Sequence, residues 1–371
     1  MNFKTRVAQN CPRLEPGCVN KIFPQSLTVL FVIAMLLALP TVVAASVGAH
    51  VHPNLARGAA NIASQDATDW DSVNLFNGNL NLSLPLGISY PLTSNFNYQF
   101  SLNYNSNIWD LTQVTSTVLR AEPNRYSNAG LGWDLSFGRL IDPTAADNGD
   151  LNKWVYVSPD GAYHPFYSTL HPDIYEPEDN IFYTRDGTYF RLQQLSGASA
   201  ILESPDGKIM TFEFANGEWR LIKIADQFKT NGVANNYLSI SYATNNVWAI
   251  TDNHGRTQTV YFKSDSTGVF PRLVDRVELA AFGGGKATYT FAYVNTTVSR
   301  PTADNDPATA ATVTVPLLTG VTAPDGSKDN FGYYPAGAAA DSSGRLANRQ
   351  LPTLGKIDWT YQGYSFVSAG C

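Results

Sequence analysis

The sequence predicts an all-β fold: an antiparallel hairpin meander forming one large twisted or spiralling sheet. Two observations predict it. Aromatic residues make up 12% of the 371 residues and charged residues only 15%, a balance that favours half-buried strands. In addition, short runs of alternating apolar and polar residues are separated by turns of the Asx–Gly type. Asp or Asn before Gly tolerates the positive φ of a tight hairpin.

Six of these turns are predicted to be structural and to join consecutive strands. A proline precedes the aspartate in three of them and presets its own φ for the turn. From the N-terminus onward the turn residues are Asn77 and Gly78, Asp160 and Gly161, Asp186 and Gly187, Asp206 and Gly207, His254 and Gly255, and Asp325 and Gly326.

Residues 1–45 have the pattern of a secretory signal peptide. A basic segment precedes an apolar run from Leu27 to Val43, and small residues follow that run. The run approaches the length that spans a bilayer, so an uncleaved hydrophobic helix is the alternative. In that case only this segment would contact a membrane. Either way we expect an exported protein that is secreted or located at the cell envelope or surface.

Residues 46–72 predict a flexible spacer, and the β pattern occupies residues 73–371. Apolar residues alternate from Leu80 to Leu86, from Phe96 to Tyr104 and again in 131–140, which predicts strands with one buried face. Further hairpin strands are predicted at 154–157, 182–183, 189–192, 209–214, 219–224, 237–242, 257–262, 274–279 and 288–293.

The net charge argues against nucleic-acid partners, and the positions of the cysteines argue against an internal disulfide. The formal net charge is −6 and becomes more negative without residues 1–45. An acidic protein is repelled by nucleic acid, so we exclude nucleic-acid partners. Cys11 and Cys18 lie in the predicted signal, which leaves Cys371 without an internal disulfide partner.

The sequence predicts no catalytic residue, no cofactor and no metal ion. His164 and His171 lie near turns or in loops without a nucleophile motif, and His254 occupies a turn position. The pair His50 and His52 lacks a third metal ligand. Calcium-loop fragments at 147–150 and 304–306 lack the distal glutamate of an EF-hand, which leaves a weak surface Ca²⁺ site as the alternative.

A glycoside hydrolase is the less favoured enzymatic alternative. It needs two carboxylates roughly 5–10 Å apart beside aromatic sugar platforms. Three of the available acids occupy turn positions, where capping of backbone amides explains them without catalysis. The acids are Asp160, Asp186, Glu203 and Asp206.

Several stretches of the chain together resemble the N-terminal region of RHS/YD-repeat proteins, and the resemblance covers nearly all of residues 73–371. Each stretch is a hairpin signature and is weak alone. They are Val73-Asn74-Leu75-Phe76-Asn77-Gly78-Asn79-Leu80, Leu102-Asn103-Tyr104-Asn105-Ser106, Asn128-Ala129-Gly130-Leu131-Gly132-Trp133, Ile250-Thr251-Asp252-Asn253-His254-Gly255-Arg256, residues 318–326 with 331–334, and residues 351–357 with 361–366.

The resemblance implies a sheet that spirals into a hollow shell, which in toxin members encloses a C-terminal effector. The chain would then be a non-catalytic scaffold, with downstream RHS repeats or another protein as its partner. Strict Y-D repeats are scarce, and Ser343-Gly344-Arg345-Leu346 comes nearest to one. The self-cleaving core and the toxin of the family do not occur in the chain, so self-proteolysis and toxicity are not transferred.

A carbohydrate-binding module with a glycan partner is the second hypothesis. Exposed tryptophans on a sheet stack on sugar rings, although packing in a core explains most of the candidates more simply. The candidate contact residues are Trp109, Trp154, Trp219, Trp248 and Trp359.

Overall fold

The computed structural model of the chain describes residues 65–67, 71–74, 77–145, 152–171, 178–244, 246–339 and 341–363. These residues form β-strands joined by turns and loops, with one 3₁₀ turn at Phe282–Gly284 and no α-helix among them. Within the described ranges there is accordingly no helix capable of crossing a membrane. The predicted signal or hydrophobic helix lies outside them.

The first strands form a five-stranded antiparallel sheet, here called the inner sheet. Its strands, in spatial order, are β1 (Gln65–Ala67), β2 (Asp71–Asn74), β3 (Leu80–Pro91), β4 (Asn97–Asn105) and β7 (Trp133–Asp134). Strands β5 (Trp109–Gln113) and β6 (Leu119–Pro123) form a separate hairpin. The alternation in β3 and β4 buries the predicted apolar face, because successive side chains of a strand point to opposite sides.

The remaining strands form one long antiparallel ribbon in sequence order, apart from a side hairpin of β16 (Lys229–Thr230) and β17 (Val233–Ala234). Its first eight strands are β8 (Arg139–Ile141), β9 (Val155–Val157), β10 (Tyr163–Tyr167), β11 (Ile181–Thr184), β12 (Arg191–Ser196), β13 (Ser199–Glu203), β14 (Lys208–Ala215) and β15 (Glu218–Asp226). It continues with β18 (Tyr237–Thr244), β19 (Val247–Asp252), β20 (Thr257–Lys263), β21 (Leu273–Ala280), β22 (Lys286–Ser299), β23 (Thr312–Thr322), β24 (Lys328–Tyr333), β25 (Leu346–Gln350) and β26 (Lys356–Asp358).

Strand β15 pairs with three neighbours, and this determines the architecture. Along one edge it pairs with β14. On its other edge, Trp219 and Arg220 pair with Leu140 and Arg139 of β8, which closes strands β8–β15 into a ring of eight. Farther along the same edge, residues 223–225 pair with β18, and the ribbon continues. We call β8–β15 the ring, β18–β26 the arm, and the β15–β8 pairing the seam.

The interior of the ring is filled by large side chains, which belong to the same contiguous hydrophobic core as the inner sheet and the arm. Fully buried residues alternate along its strands, as the closed sheet requires. Trp154 and Trp219 meet edge to face with ring centroids 5.1 Å apart, and Tyr156 packs edge-on against Phe212 at 6.1 Å. The other large side chains of this core are Phe166, Leu192, Leu202 and Leu221.

The arm has its buried face covered by the inner sheet instead. The centroids of the aromatic rings of Trp133 in β7 and Phe331 lie 4.8 Å apart. Trp133 also donates its Nε1 hydrogen to Tyr333 Oη at 2.8 Å. Tyr104 accepts a hydrogen bond from the backbone amide of Leu346, also at 2.8 Å. These contacts join residues that are far apart in the chain, so the sheet and the arm share one core.

The structure corrects two predictions, that of a strand at 131–140 and that of a flexible spacer at 46–72. The alternating stretch 131–140 is not one strand, because Gly132 and Gly138 adopt φ of 81° and 88° and interrupt the ladder. Only Trp133–Asp134 and the strand that begins at Arg139 are paired there. The predicted spacer 46–72 contains β1 and the start of β2. Strand β1 pairs with β2, and β2 pairs with β3, so residues 65–67 and 71–72 are part of the sheet.

Candidate functional site

All twelve residues predicted as structural turns lie in the described part of the chain. The six turn glycines have φ between 69° and 88°, a region that residues with a Cβ rarely adopt. In four of the turns the aspartate side chain accepts a hydrogen bond from the backbone amide two residues later; these are Asp160, Asp186, Asp206 and Asp325.

The turn at Gly255 contains the predicted turn residue His254, which is exposed, but its acid stands two residues earlier, at Asp252. The Asp252 carboxylate is buried and accepts hydrogen bonds from the backbone amides of His254 and Arg256. It also accepts hydrogen bonds from Tyr98 Oη at 2.8 Å and Arg256 Nε at 2.6 Å. This turn therefore fastens the arm to the inner sheet.

The candidate contact tryptophans are mostly core residues, in agreement with the simpler explanation of core packing. Trp109, Trp154, Trp219 and Trp248 are each at most 6% exposed. Trp359 is half-buried and donates its Nε1 hydrogen to Asp71 of β2. They are buried because they lie on the inward-facing positions of strands or next to the core.

One cluster has the connectivity of a serine–histidine–aspartate triad. His164 is buried; its Nδ1 lies 2.7 Å from Asp186 Oδ2, and its Nε2 lies 3.3 Å from Ser158 Oγ. Burial acts to raise the pKa of Asp186, but hydrogen bonds from His164 and Thr188 outweigh it and hold the pKa below its usual value.

The serine of this cluster behaves as a turn residue. Its hydroxyl donates to Asp160, two residues later. The same contact recurs between Ser204 and Asp206 in the second Ser-Pro-Asp-Gly turn, and in both turns the serine hydroxyl also contacts the carbonyl oxygen four residues later, that of Ala162 or Lys208. Because the contact forms without a histidine, the cluster is explained by turn structure.

The acidic candidates for hydrolysis and calcium binding have structural partners. Glu203 forms an ion pair with Arg191 at 2.7 Å, and the other three acids cap their turns. In the 304–306 segment, Asn305 and Asp304 accept hydrogen bonds from backbone amides of β6, and Asp306 pairs with Arg120 at 2.7 Å. No cluster of three or more metal-ligating side chains occurs within the described ranges, and 147–150 lies outside them.

A cleft lies where the ring and the arm diverge. It has a volume of about 340 Å³ and is lined from β7, β8, β15, β18, β19 and the loop before β21. We call it the seam cleft and define it by its functional side chains, which are Asp134, Arg139, Arg220, Tyr242, Trp248 and Arg272. Two of the predicted tryptophans, Trp219 and Trp248, line it.

The arginines of the seam cleft stack on aromatic rings. The Arg139 guanidinium lies 3.2 Å from the centre of the Tyr126 ring, and Arg272 lies 4.9 Å from that of Trp248. Arg220 lies 5.4 Å from the Tyr242 ring centre and forms an ion pair with Glu218 at 3.0 Å. Stacking fixes the planes of the guanidinium groups, which prepares them for bidentate hydrogen bonding.

The charges inside the cleft perturb one another. Burial raises the pKa of Asp134 to about 7, even though Arg139 and Arg272 favour its ionised form. Burial and the nearby Arg220 lower the pKa of the Arg272 guanidinium. The cleft thus holds several positive charges whose mutual repulsion is only partly compensated.

Sequence reasoning missed every charged residue of this site. Arg139 and Arg220 belong to strands that are distant in the sequence, and nothing in the hairpin pattern shows that those strands pair. The available signal was local: Arg139 follows Gly138 and ends the apolar alternation of 131–137. That signal marks a break in a strand without indicating a cleft.

Comparisons with known proteins identify no family. No protein-family model matches the chain, and no curated protein matches it. Among solved structures, the chain is similar to a porin-like protein from Bacteroides uniformis ATCC 8492, with 9% identity, a TM-score of 0.26, and coverage of 66% of this chain and 87% of that one. A similarity this low carries no argument for a shared function.

Proposed function

We propose that the chain is a non-catalytic, exported β-scaffold that corresponds to the first part of an RHS/YD-repeat shell. The observation that supports this proposal is the double pairing along one edge of β15. The ribbon meets its own first strand at Trp219 and Arg220 and then continues through residues 223–225 into the arm. A spiral sheet needs such a junction, because each new turn must begin beside the previous one.

The sequential order of the ribbon is a second support. From β8 to β15 and from β18 to β26, each strand pairs with its neighbour in the sequence. A ribbon of this kind grows by the addition of further hairpins at its last strand. In the described part of the chain, β26 pairs only with β25, so its outer edge can accept another strand.

The experiment that tests this proposal uses the outer edge of β26. Trp359 donates its amide hydrogen to Ala347, and Leu351 donates to Gly355, so the alternation of an antiparallel ladder directs the amide of Asp358 away from β25. Asp358→Pro therefore removes an outward donor and leaves the existing ladder intact. Asp358→Ala is the matched control, because it removes the same side chain and keeps the amide.

We expect the mass of the purified full chain in analytical ultracentrifugation to rise with concentration through edge pairing. The Asp358→Pro variant should remain monomeric, and Asp358→Ala should associate like the unmodified chain. A chain that stays monomeric at all concentrations, or a Pro variant that associates equally, would contradict the proposed extension edge. Fractionation of cells expressing the full chain tests export, and a purely cytoplasmic location would contradict it.

The carbohydrate-binding module is the second candidate function, with the seam cleft as its support. Four of the five predicted platforms are buried, so sugar stacking on an open sheet face is not favoured. Trp219 and Trp248, however, line a cleft of the size that small-molecule sites occupy, roughly 300–1,000 Å³. A glycoside hydrolase has less support, because its candidate acids are engaged in turns and in an ion pair.

A further inference from the structure

We propose that the seam cleft binds the carboxylate of an acidic sugar, a uronate unit of an acidic polysaccharide, with Arg139 as the main anion-binding side chain. The proposal deepens the second candidate function and is independent of the scaffold proposal. It would stand even if β26 did not act as an extension edge.

The seam itself carries the first argument. Arg139 and Arg220 are direct partners in the β8–β15 pairing, so their side chains leave the same face of the sheet side by side. Like charges placed directly opposite each other destabilise a sheet. Glu218 compensates one of the two guanidinium groups through its ion pair with Arg220. An anion in the cleft would compensate the other.

Arg139 is the group available for a ligand. Among the described residues it forms no hydrogen bond and no ion pair through its guanidinium, and its Nε is buried without a partner. A buried donor without a partner costs free energy unless something else satisfies it. Because the guanidinium is held flat against Tyr126, its remaining donors have a fixed direction, the arrangement that recognises a planar carboxylate.

Asp134 favours a singly charged ligand over a phosphate. Its carboxyl lines the same cleft as Arg139, and a dianion would meet twice the repulsion that a carboxylate meets when Asp134 is ionised. When Asp134 is protonated it can instead donate a hydrogen bond to the ligand. A monoanion therefore fits the charges of the cleft better.

The walls of the cleft favour a sugar over a simple organic acid. Tyr242 is half-buried and lines the cleft with an aromatic ring that suits the apolar face of a pyranose. Ser136 and Asn246 line the same cleft with polar groups that suit ring hydroxyls. The Ser136 hydroxyl accepts a hydrogen bond from the amide of Gly138, which leaves its own hydrogen free to donate.

The test is isothermal titration calorimetry of the full chain with a galacturonate tetrasaccharide. A neutral galactose tetrasaccharide and inorganic phosphate serve as comparison ligands. The variants are Arg139→Gln and, as the matched control, Arg276→Gln. Arg276 also stacks on a tyrosine, with 3.6 Å between its guanidinium and the Tyr261 ring centre, but it lies on the arm outside the cleft and is paired with Glu278.

We expect the galacturonate tetrasaccharide to bind and Arg139→Gln to weaken its affinity about 10- to 100-fold, the usual effect of losing a hydrogen bond to a charged group. Arg276→Gln should bind like the unmodified chain, and the neutral sugar should bind at least about 10-fold more weakly. Absence of binding, or equal affinity in Arg139→Gln, overturns the proposal. Tighter binding of phosphate than of the uronate overturns the assignment to an acidic sugar.

A second variant keeps the test informative if Arg139→Gln does not fold. Asn246 is exposed at the mouth of the cleft, so Asn246→Asp adds a negative charge without disturbing the core. We expect this variant to melt at the same temperature as the unmodified chain and to bind the uronate several-fold more weakly. Unchanged affinity in a folded Asn246→Asp variant would contradict a site in this cleft.

Discussion

The ring and the arm are built from the same kind of hairpin, yet they bury their apolar faces in different ways. In the ring the sheet closes on itself, and side chains such as Phe212 and Trp219 fill the interior. In the arm the sheet stays open and the inner sheet covers it. The difference arises at β15. One half of one of its edges pairs with β8, which precedes it in the sequence, and the other half pairs with β18, which follows it.

The closed ring and the stacked pair of inner sheet and arm differ in the polar contacts that align them. Closure of the ring aligns its strands through a continuous backbone ladder. The inner sheet and the arm are stacked without such a ladder, and buried polar bonds connect them, from Tyr98 to Asp252, from Trp133 to Tyr333 and from Leu346 to Tyr104. Stacked sheets slide more easily than paired strands, so specific side-chain bonds are needed to fix their alignment.

The largest expected effect comes from breaking the contact between inner sheet and arm at Trp133. This side chain is fully buried between Tyr104 and Phe331. Trp133→Ala should lower the free energy of unfolding by about 3–5 kcal/mol, as measured by chemical denaturation. Trp133→Phe, which keeps an aromatic ring, should lose clearly less, and equal losses would mean that packing at this position matters little.

The ring should tolerate this change better than the arm. Hydrogen exchange of Trp133→Ala should show faster exchange in β24 and β25 than in β13 and β14, because the contacts that Trp133 loses are with Tyr104 of the inner sheet and with Phe331 and Tyr333 of the arm. Equal acceleration in both regions would show that the ring and the arm unfold as one unit, and the proposed distinction between them would be wrong.

A smaller effect is expected at the buried turn acid Asp252. Asp252→Asn should cost about 2–4 kcal/mol, because it weakens the bonds from Tyr98 and Arg256 in a buried place. Asp325→Asn is the matched control: it changes the acid of an exposed turn in the arm and should alter stability little. Similar losses for the two variants would contradict a special role for Asp252.

The pH dependence of Asp252 follows from its surroundings. Burial acts to raise its pKa, but hydrogen bonds from Tyr98 and Arg256 outweigh burial and hold the pKa below the usual value. A lowered pKa in the folded state contributes stability above the usual pKa of aspartate, and this contribution is lost as the pH falls. The unmodified chain should therefore lose more stability than Asp252→Asn when the pH falls below about 4.

The smallest expected effect is at Asp134 in the seam cleft, and it has the opposite sign. Because burial raises the pKa of Asp134 to about 7, the folded state holds this proton more tightly than the unfolded chain does. The contribution of Asp134 to the stability of the folded state is fully present below the usual pKa of aspartate, and it declines as the pH rises towards 7. Asp134→Asn should remove this decline and stabilise the chain at pH 8 by about 1–3 kcal/mol.

The same residue makes a prediction for the proposed ligand. Ionised Asp134 repels a carboxylate, so uronate affinity should fall between pH 6 and pH 8, and Asp134→Asn should flatten this profile. The charged or titratable groups that face Asp134 or share its cleft are Arg125, Tyr126, Arg139, Glu218, Arg220, Tyr242 and Arg272. A profile that is unchanged in Asp134→Asn would assign the pH dependence to one of them.

Local sequence signals were sufficient for much of the ribbon. The hairpin strands predicted from alternation overlap β9, β11, β12, β14, β15, β18, β20, β21 and β22. Residues 300–311 separate β22 from β23. The strand Ser199–Glu203 was missed because its consecutive apolar residues, Ala200 to Leu202, show no alternation, and it is held in place by β12 and β14 on either side.

By itself the sequence determined the β class, the turns and the inward-facing positions, because these depend on φ preferences and on the two-residue period of a strand. Only the tertiary structure decided that β15 joins both β8 and β18, that the inner sheet covers the arm, and that Arg139 and Arg220 meet at the seam. Pairing between distant strands leaves no local pattern, since a backbone ladder forms between any two complementary edges. The seam cleft therefore exists only in the folded chain.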